Sequence, residues 1–192
     1  MIERLLHECK KNNTQAQEQL YKLLAPKLFT VCLKYSRNHE EAQDNLQESF
    51  LIIFDKLKQF KNEGSFEGWA KRLVVNYVLQ QYRNQGTFLE LVSDNIFVVE
   101  EVEIDDESVT MEFLLKIIQE LPDRYRLVFN LYAVDGYSHK EIAKMLEINE
   151  GTSKSNLARA KMILKEKIQN TRYFQKQNEG KQKYRTPFSG KI

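Results

Sequence analysis

Cysteine is almost missing: Cys9 and Cys32 are the only two in 192 residues, and they stand far apart. That pattern excludes a disulfide-stapled secreted framework and reads as reduced thiols in a cytoplasmic protein. Proline and glycine are also scarce, at three and seven, so long stretches run free of helix breakers. Strand-like alternation is absent outside one brief segment at 96–99, and an all-α fold is expected. No apolar run is long enough to cross a bilayer, so membrane insertion is not expected. Glu3 and Arg4 stand where a signal peptide would start its apolar core, so no export signal is expected either. The three histidines, His7, His39 and His139, have no carboxylate or thiol at metal-ligand or triad spacing, and no glycine-rich phosphate loop appears. No catalytic residue, metal or cofactor is expected, and an enzyme is set aside. Basic and acidic side chains nearly balance, 29 against 27, so any basic surface must be a local patch.

What is present is helical periodicity in two blocks. The pattern divides the chain into a helical domain over 1–85, an acidic linker over 86–108 and a second helical domain over 109–170. A basic tail without regular structure is expected over 171–192. The first block reads as four helices: residues 2–10; residues 14 to about 36, opened by a capping box of Thr14 and Gln17 and interrupted by Pro26; a helix capped by Asn38; and one capped by Ser65. The third carries Ala42, Leu46, Phe50, Ile53 and Leu57 on one face. In the fourth, Phe66, Trp69, Ala70, Leu73, Val74, Tyr77 and Val78 form a continuous stripe. In the second block, 109–120 is one helix, and Pro122 opens the next, which stops at Gly136. Ser138 and Glu141 form a capping box for a short helix, and Asn149 caps the last. Two small cores are expected, one per block.

From Ser138 to Ile168 the spacing is that of a helix-turn-helix. Ile142, Ala143 and Leu146 face inward from the first helix, Ile148 lies in the turn, and Leu157, Ile163 and Leu164 face inward from the second. The outward face offers Thr152, Ser153, Lys154, Ser155, Ala158, Arg159 and Lys161. A helix that enters a major groove by its N-terminal end needs small residues there, so that backbone N–H groups approach the phosphates. Gly151, Thr152 and Ser153 meet that need, and after Glu150 no carboxylate follows until Glu166. His139 lies in the capping box and is expected to be exposed.

The first block adds two faces. Asp44, Gln47, Glu48, Leu51 and Asp55 align at helical spacing, a mixed acidic and aliphatic surface suited to a basic protein partner. Arg72, Asn76, Gln80 and Arg83 align on the next helix, with Lys71 beside them, and the segment between Glu67 and Glu90 holds no acid. The loop before it, Phe60, Lys61, Asn62, Glu63, Gly64 and Ser65, places basic and amide groups near aromatics, which suits unstacked bases of a single strand. Phe66, Trp69 and Tyr77 fall on the apolar stripe and read as core, whereas Phe60 is less easily read that way.

Two stretches carry a resemblance. NLQESFLIIFDKLKQFKNEGSFEGWAKRLVVNYVLQQYR resembles the core-binding and promoter-melting region of bacterial sigma factors. LPDRYRLVFNLYAVDGYSHKEIAKMLEINEGTSKSNLARAKMILKEKI resembles their C-terminal region. Two such regions with only a short linker between them look like the extracytoplasmic-function (ECF) subfamily of the sigma-70 family. The resemblance implies a factor that binds core RNA polymerase and directs promoter-specific initiation. Asp44, Gln47, Glu48, Leu51 and Asp55 would meet the clamp helices of the beta-prime subunit. The loop from Phe60 to Ser65, with Arg72, Asn76, Gln80 and Arg83, would take the melted −10 element. Thr152, Ser153, Lys154, Ser155, Ala158, Arg159 and Lys161 would face the −35 duplex. The apolar surface around the helix from Pro122 would dock on the flap of the beta subunit, and an anti-sigma factor is a further candidate partner. The loop's Lys-Asn-Glu-Gly departs from the Arg-Gly-Glu or Arg-Gly-Asp of many relatives, and Asn156 stands where relatives are often basic. Two alternatives share the raw features: a conventional helix-turn-helix regulator with a helical N-terminal domain, and a helical anti-regulator interaction protein.

The acidic segment 100–107 suggests a mimic of nucleic acid for a basic polymerase channel. Neutralising Glu100, Glu101, Glu103, Asp105 and Asp106 together is expected to change promoter escape or nonspecific DNA binding in a purified transcription assay. No change in either quantity refutes the mimic.

Overall fold

A computed structural model describes residues 2–86 and 110–183, with side chains to residue 170. The brief strand expected at 96–99, the acidic linker from residue 87 and the end of the tail lie outside the described residues. Among the described residues every regular element is helical. The eight helices are α1 (Ile2–Lys10), α2 (Thr14–Tyr35), α3 (His39–Lys56), α4 (Phe66–Asn84), α5 (Met111–Gln119), α6 (Asp123–Phe129), α7 (His139–Leu146) and α8 (Glu150–Lys183).

Capping residues set most of the boundaries. Asn38 and Ser65 accept the N–H of Glu41 and Gly68, as their spacing predicts. Ser138 and Glu141 form the reciprocal capping box of α7, and Asn149 accepts the N–H of Thr152 at 2.7 Å to start α8. The start of α2 differs. Asn13, not Thr14, is the cap, taking the N–H of Ala16 at 3.1 Å. Asn12 has a positive φ of 61°, and that turn delivers Asn13 in the extended conformation a cap requires. The helix then runs on through Pro26. Thr110 caps α5, and Pro122 stands one residue before α6 rather than inside its first turn. After Phe129 the chain widens into a π-helical turn, Asn130–Val134, before Gly136 reverses it with a φ of 76°. The backbone of α8 stays helical to Lys183, beyond residue 168, where the apolar pattern stops, and into the stretch read as an irregular tail.

The apolar stripes pack as their periodicity requires, but not into two separate cores. Leu20, Leu28, Ile53, Val74 and Val78 share one continuous cluster with Leu127, Val128, Leu131, Ile142, Leu146 and Leu157 of the second block. Only a smaller cluster, with Ile117, Leu121, Tyr125, Ala160, Leu164 and Ile168, belongs to the second block alone. Cys9 and Cys32 are both buried free thiols, and burial pushes the Cys32 thiol up to about 12.

The blocks meet at the C-terminal end of α2. The last carbonyls of a helix have no partner within it. Here they are capped by side chains from far along the chain. Gln119 donates to Leu33 O at 3.2 Å, Asn130 to Lys34 O, and the Arg126 Nε to Tyr35 O at 3.3 Å. Arg126 is 1% exposed. Its other donors reach Gln119 O (3.3 Å), Leu121 O (2.9 Å), the Tyr82 hydroxyl (3.0 Å) and Asp123. Arg37 forks onto Asp123 at 2.6–3.1 Å. Burial would raise the Asp123 carboxyl, but the hydrogen bonds and charges of Arg37 and Arg126 outweigh it and hold the group below its ordinary range. Lys34 pairs with Asp135 at 2.6 Å, and the Tyr35 hydroxyl donates to the same carboxylate.

Replacing Ser138 by alanine removes the side-chain half of the α7 capping box, the hydroxyl that accepts the Glu141 N–H, and leaves the Ser138 N–H on the Glu141 carboxylate. The expected loss is about 1 kcal/mol. That corresponds to a fall of roughly 2–4 °C in melting temperature for a chain of this size, read by circular dichroism. An unchanged melting temperature contradicts the cap assignment.

Candidate nucleic-acid interface

On α3 the predicted line holds together. Asp44, Gln47, Glu48, Leu51 and Asp55 are all exposed, Leu51 at 64%. Among the described residues the three carboxylates make no ion pair. The opposite face supplies the core: Phe50 is buried against Tyr21, with ring centroids 4.5 Å apart. Asp44 and Glu48 also act on Tyr77 of α4. Burial first, and then these two charges, raise its hydroxyl pKa.

The loop after α3 begins with a 3₁₀ turn, Leu57–Gln59. Lys61, Asn62, Glu63, Gly64 and Ser65 are exposed. Asn62 and Gly64 have φ of 61° and 86°, so the loop is arched by two left-handed residues. Phe60 is a correction to the sequence reading. It is only 6% exposed and packs on Phe66 and Trp69, with centroids 5.1 and 5.4 Å away. Three aromatics gain more from burial together than one would from standing in water. Phe60 therefore anchors the loop from beneath, and Lys10 donates to its carbonyl at 3.5 Å.

On α4, Arg72, Asn76 and Gln80 stand exposed one turn apart. Arg83 does not continue that free row. It donates to Met145 O at 2.9 Å and pairs with Glu147 at 2.9 Å, both in the turn of the helix-turn-helix. Glu147 is itself left-handed, with φ of 58°. Lys71 pairs with Glu67 at 3.1 Å, and Lys27 meets the same carboxylate at 2.6 Å.

In α8 the structure separates residues that sequence spacing groups. Lys154 is exposed, and Thr152, Ala158, Arg159 and Lys161 are half-buried. Ser153 is fully buried, its hydroxyl 2.9 Å from His139 Nδ1. Ser155 is also buried, and its hydroxyl donates to Thr152 O at 3.1 Å. These two serines brace the first turn instead of projecting from it. A serine is small enough to sit on either face, so spacing alone does not orient it. His139 is likewise not simply exposed. It is half-buried and stacks on Tyr132 at 4.5 Å. Burial, then the charge of Lys154, lowers its pKa, and its contact with Ser153 ties α7 to α8. Nothing in the spacing of Tyr132, His139 and Ser153 marked them as a set. They meet only through the helix-turn-helix crossing.

Among the described residues no helix is long and apolar enough to cross a membrane, and no cluster of His, Cys, Asp and Glu could hold a metal ion. The geometry thus sets an exposed acidic face, an exposed amide and arginine face and a braced helix-turn-helix on one helical body. Comparison with known proteins identifies its family. Residues 20–88 match the model of sigma-70 region 2, and residues 113–164 that of sigma-70 region 4. The chain is 25% identical to the ECF RNA polymerase sigma factor SigW of Bacillus subtilis, over 88% of this chain and 97% of that protein. It is 27% identical to SigM of Mycobacterium tuberculosis, over 78% of this chain and 75% of that protein. The sigma factor RpoE of Bartonella quintana, solved with the anti-sigma factor NepR, shares the fold, with a TM-score of 0.50 and 22% identity, over 79% of this chain and 96% of that chain. The chain therefore belongs to the sigma-70 family, among its ECF members, and directs promoter-specific initiation by RNA polymerase.

Proposed function

We propose that the two halves divide promoter recognition between melted and duplex DNA. The α3 face of Asp44, Gln47, Glu48, Leu51 and Asp55 holds the clamp helices of the beta-prime subunit. The arched loop 61–65 receives a base of the −10 element after it leaves the stack, and Arg72, Asn76 and Gln80 follow the opened strand. Unstacking costs a few kcal/mol, which contacts in the loop offset. Lys154, with Arg159 and Lys161, faces the −35 major groove, and Thr152 and Ala158 allow close approach. The α6 region docks on the beta flap. The chain makes and breaks no bonds itself and works in the cytoplasm, where polymerase is. An anti-sigma factor is a further partner, a reading supported by the similar Bartonella protein having been solved in complex with NepR.

The observation that carries this reading is the start of α8. Lys154 stands in water near the N-terminal end of a helix whose first turn, after Glu150, is small and internally braced. Cationic reach and close backbone approach coincide there, as groove entry requires.

Purified chain, core polymerase and a promoter library randomised at both elements test the proposal. Initiation above core alone, selective at both positions, is expected, and its absence overturns the reading. In the same assay Lys154→Ala should weaken −35 discrimination by about 1–3 kcal/mol if the contact is to a base edge, with −10 preference unchanged. An unaltered −35 preference removes Lys154 from the interface.

A further inference from the structure

We propose that His139 is a positioning residue for −35 readout, holding Ser153 from across the helix-turn-helix crossing and so fixing the angle at which Lys154 meets the groove. The inference rests on the reading that the start of α8 faces the −35 duplex.

The apolar contacts of the motif do not set that angle by themselves. Ile142 and Leu146 of α7 and Leu157 of α8 are buried in one cluster, but burial of apolar surface has no preferred direction. A helix resting on such contacts alone is free to roll about its own axis. Side-chain atoms stand about 5–6 Å from a helix axis, so a roll of about 20° carries them by about 2 Å. A base contact needs placement to within about 0.5 Å. A directional contact close to Lys154 is what stops such a roll.

Ser153, the residue before Lys154, makes that contact. It is fully buried, and a buried hydroxyl needs a partner. His139 Nδ1 supplies one at 2.9 Å, from fourteen residues earlier in the chain. The imidazole is itself fixed. It stacks on Tyr132, with centroids 4.5 Å apart and planes 18° from parallel. Tyr132 belongs to the π-helical turn Asn130–Val134, closed by the Asp135 N–H on Asn130 O at 2.9 Å. Widened turns of this kind are frequent at functional sites. His139 therefore joins the π-helical turn, α7 and α8 at one point. The charge of Lys154 acts on the His139 ring, second only to burial, so the lysine lies beside the brace. Successive residues leave a helix about 100° apart, and pinning Ser153 inward sets the direction in which Lys154 departs.

Reconstituted initiation with the full chain and core polymerase tests this. The promoters share a −10 element and carry either the preferred or an altered −35 element. His139→Phe keeps a ring against Tyr132 and removes Nδ1, and Ser153→Ala removes the hydroxyl. Each should lower the ratio of initiation on the two promoters by about two- to tenfold, the range for loss of one hydrogen bond. The double variant should lose no more than either single one, because both residues serve one contact. His139→Asn puts an amide oxygen or nitrogen at the position of Nδ1 and should hold the ratio within about twofold of the parent. Preference among −10 variants should stay as in the parent throughout, which separates lost positioning from general unfolding. An unchanged ratio in His139→Phe, equal losses in His139→Asn and His139→Phe, or additive losses in the double variant overturns the proposal. So does a fall in −10 preference as large as the fall at −35. A parent chain that initiates with no −35 preference overturns the functional reading, and this proposal with it.

Discussion

The structure turns on one buried guanidinium. An arginine has five N–H donors and no other way to offset its loss of water. Arg126 is 1% exposed, and each of the five donors finds an acceptor. Two of those acceptors, Gln119 O and Leu121 O, lie at the end of α5 and in the turn after it, and a third is Asp123 beside them. The other two, Tyr35 O and the Tyr82 hydroxyl, belong to the opposite half. Deleting the Asp123 carboxylate while the site stays closed would leave a buried charge short of its ion partner, a situation that costs about 3–5 kcal/mol. Satisfying this one side chain fixes how the helix-turn-helix half sits on the N-terminal bundle, and the continuous apolar core follows from that placement.

From this placement the candidate faces divide into those left open and those closed. The α3 acids, loop 61–65, and Arg72, Asn76 and Gln80 remain in water. Arg83 and the residues around α6 do not. Within the helix-turn-helix, His139 is held between Tyr132 and Ser153, so the first turn of α8 has a rigid base. That rigidity limits the ordering entropy lost when a helix meets a groove.

Much of this was legible in the sequence because it is local. Asn38, Ser65, Ser138 and Asn149 announce helix starts through hydrogen bonds that close within three residues. The α3 stripe and its opposite acidic line follow from a 3.6-residue period. The helix-turn-helix was recoverable from the order of cap, small residue, turn and delayed basic residues. The errors share a cause. Phe60, Ser153, Ser155 and His139 were assigned by their position beside functional residues. Their actual environment is set by neighbours many residues distant, or by which side of a crossing they meet.

The chain's own order of residues determined that it is helical and where most of its helices begin. Only the tertiary structure decided that Phe60 is an anchor, that two α8 serines are braces and that both halves share one core. The physical reason is range. Caps and stripes are satisfied within a turn or two of helix. The bare carbonyls ending α2 and the charge on Arg126 are satisfied across some ninety residues of chain, from Tyr35 to Arg126, a pairing that no local pattern encodes.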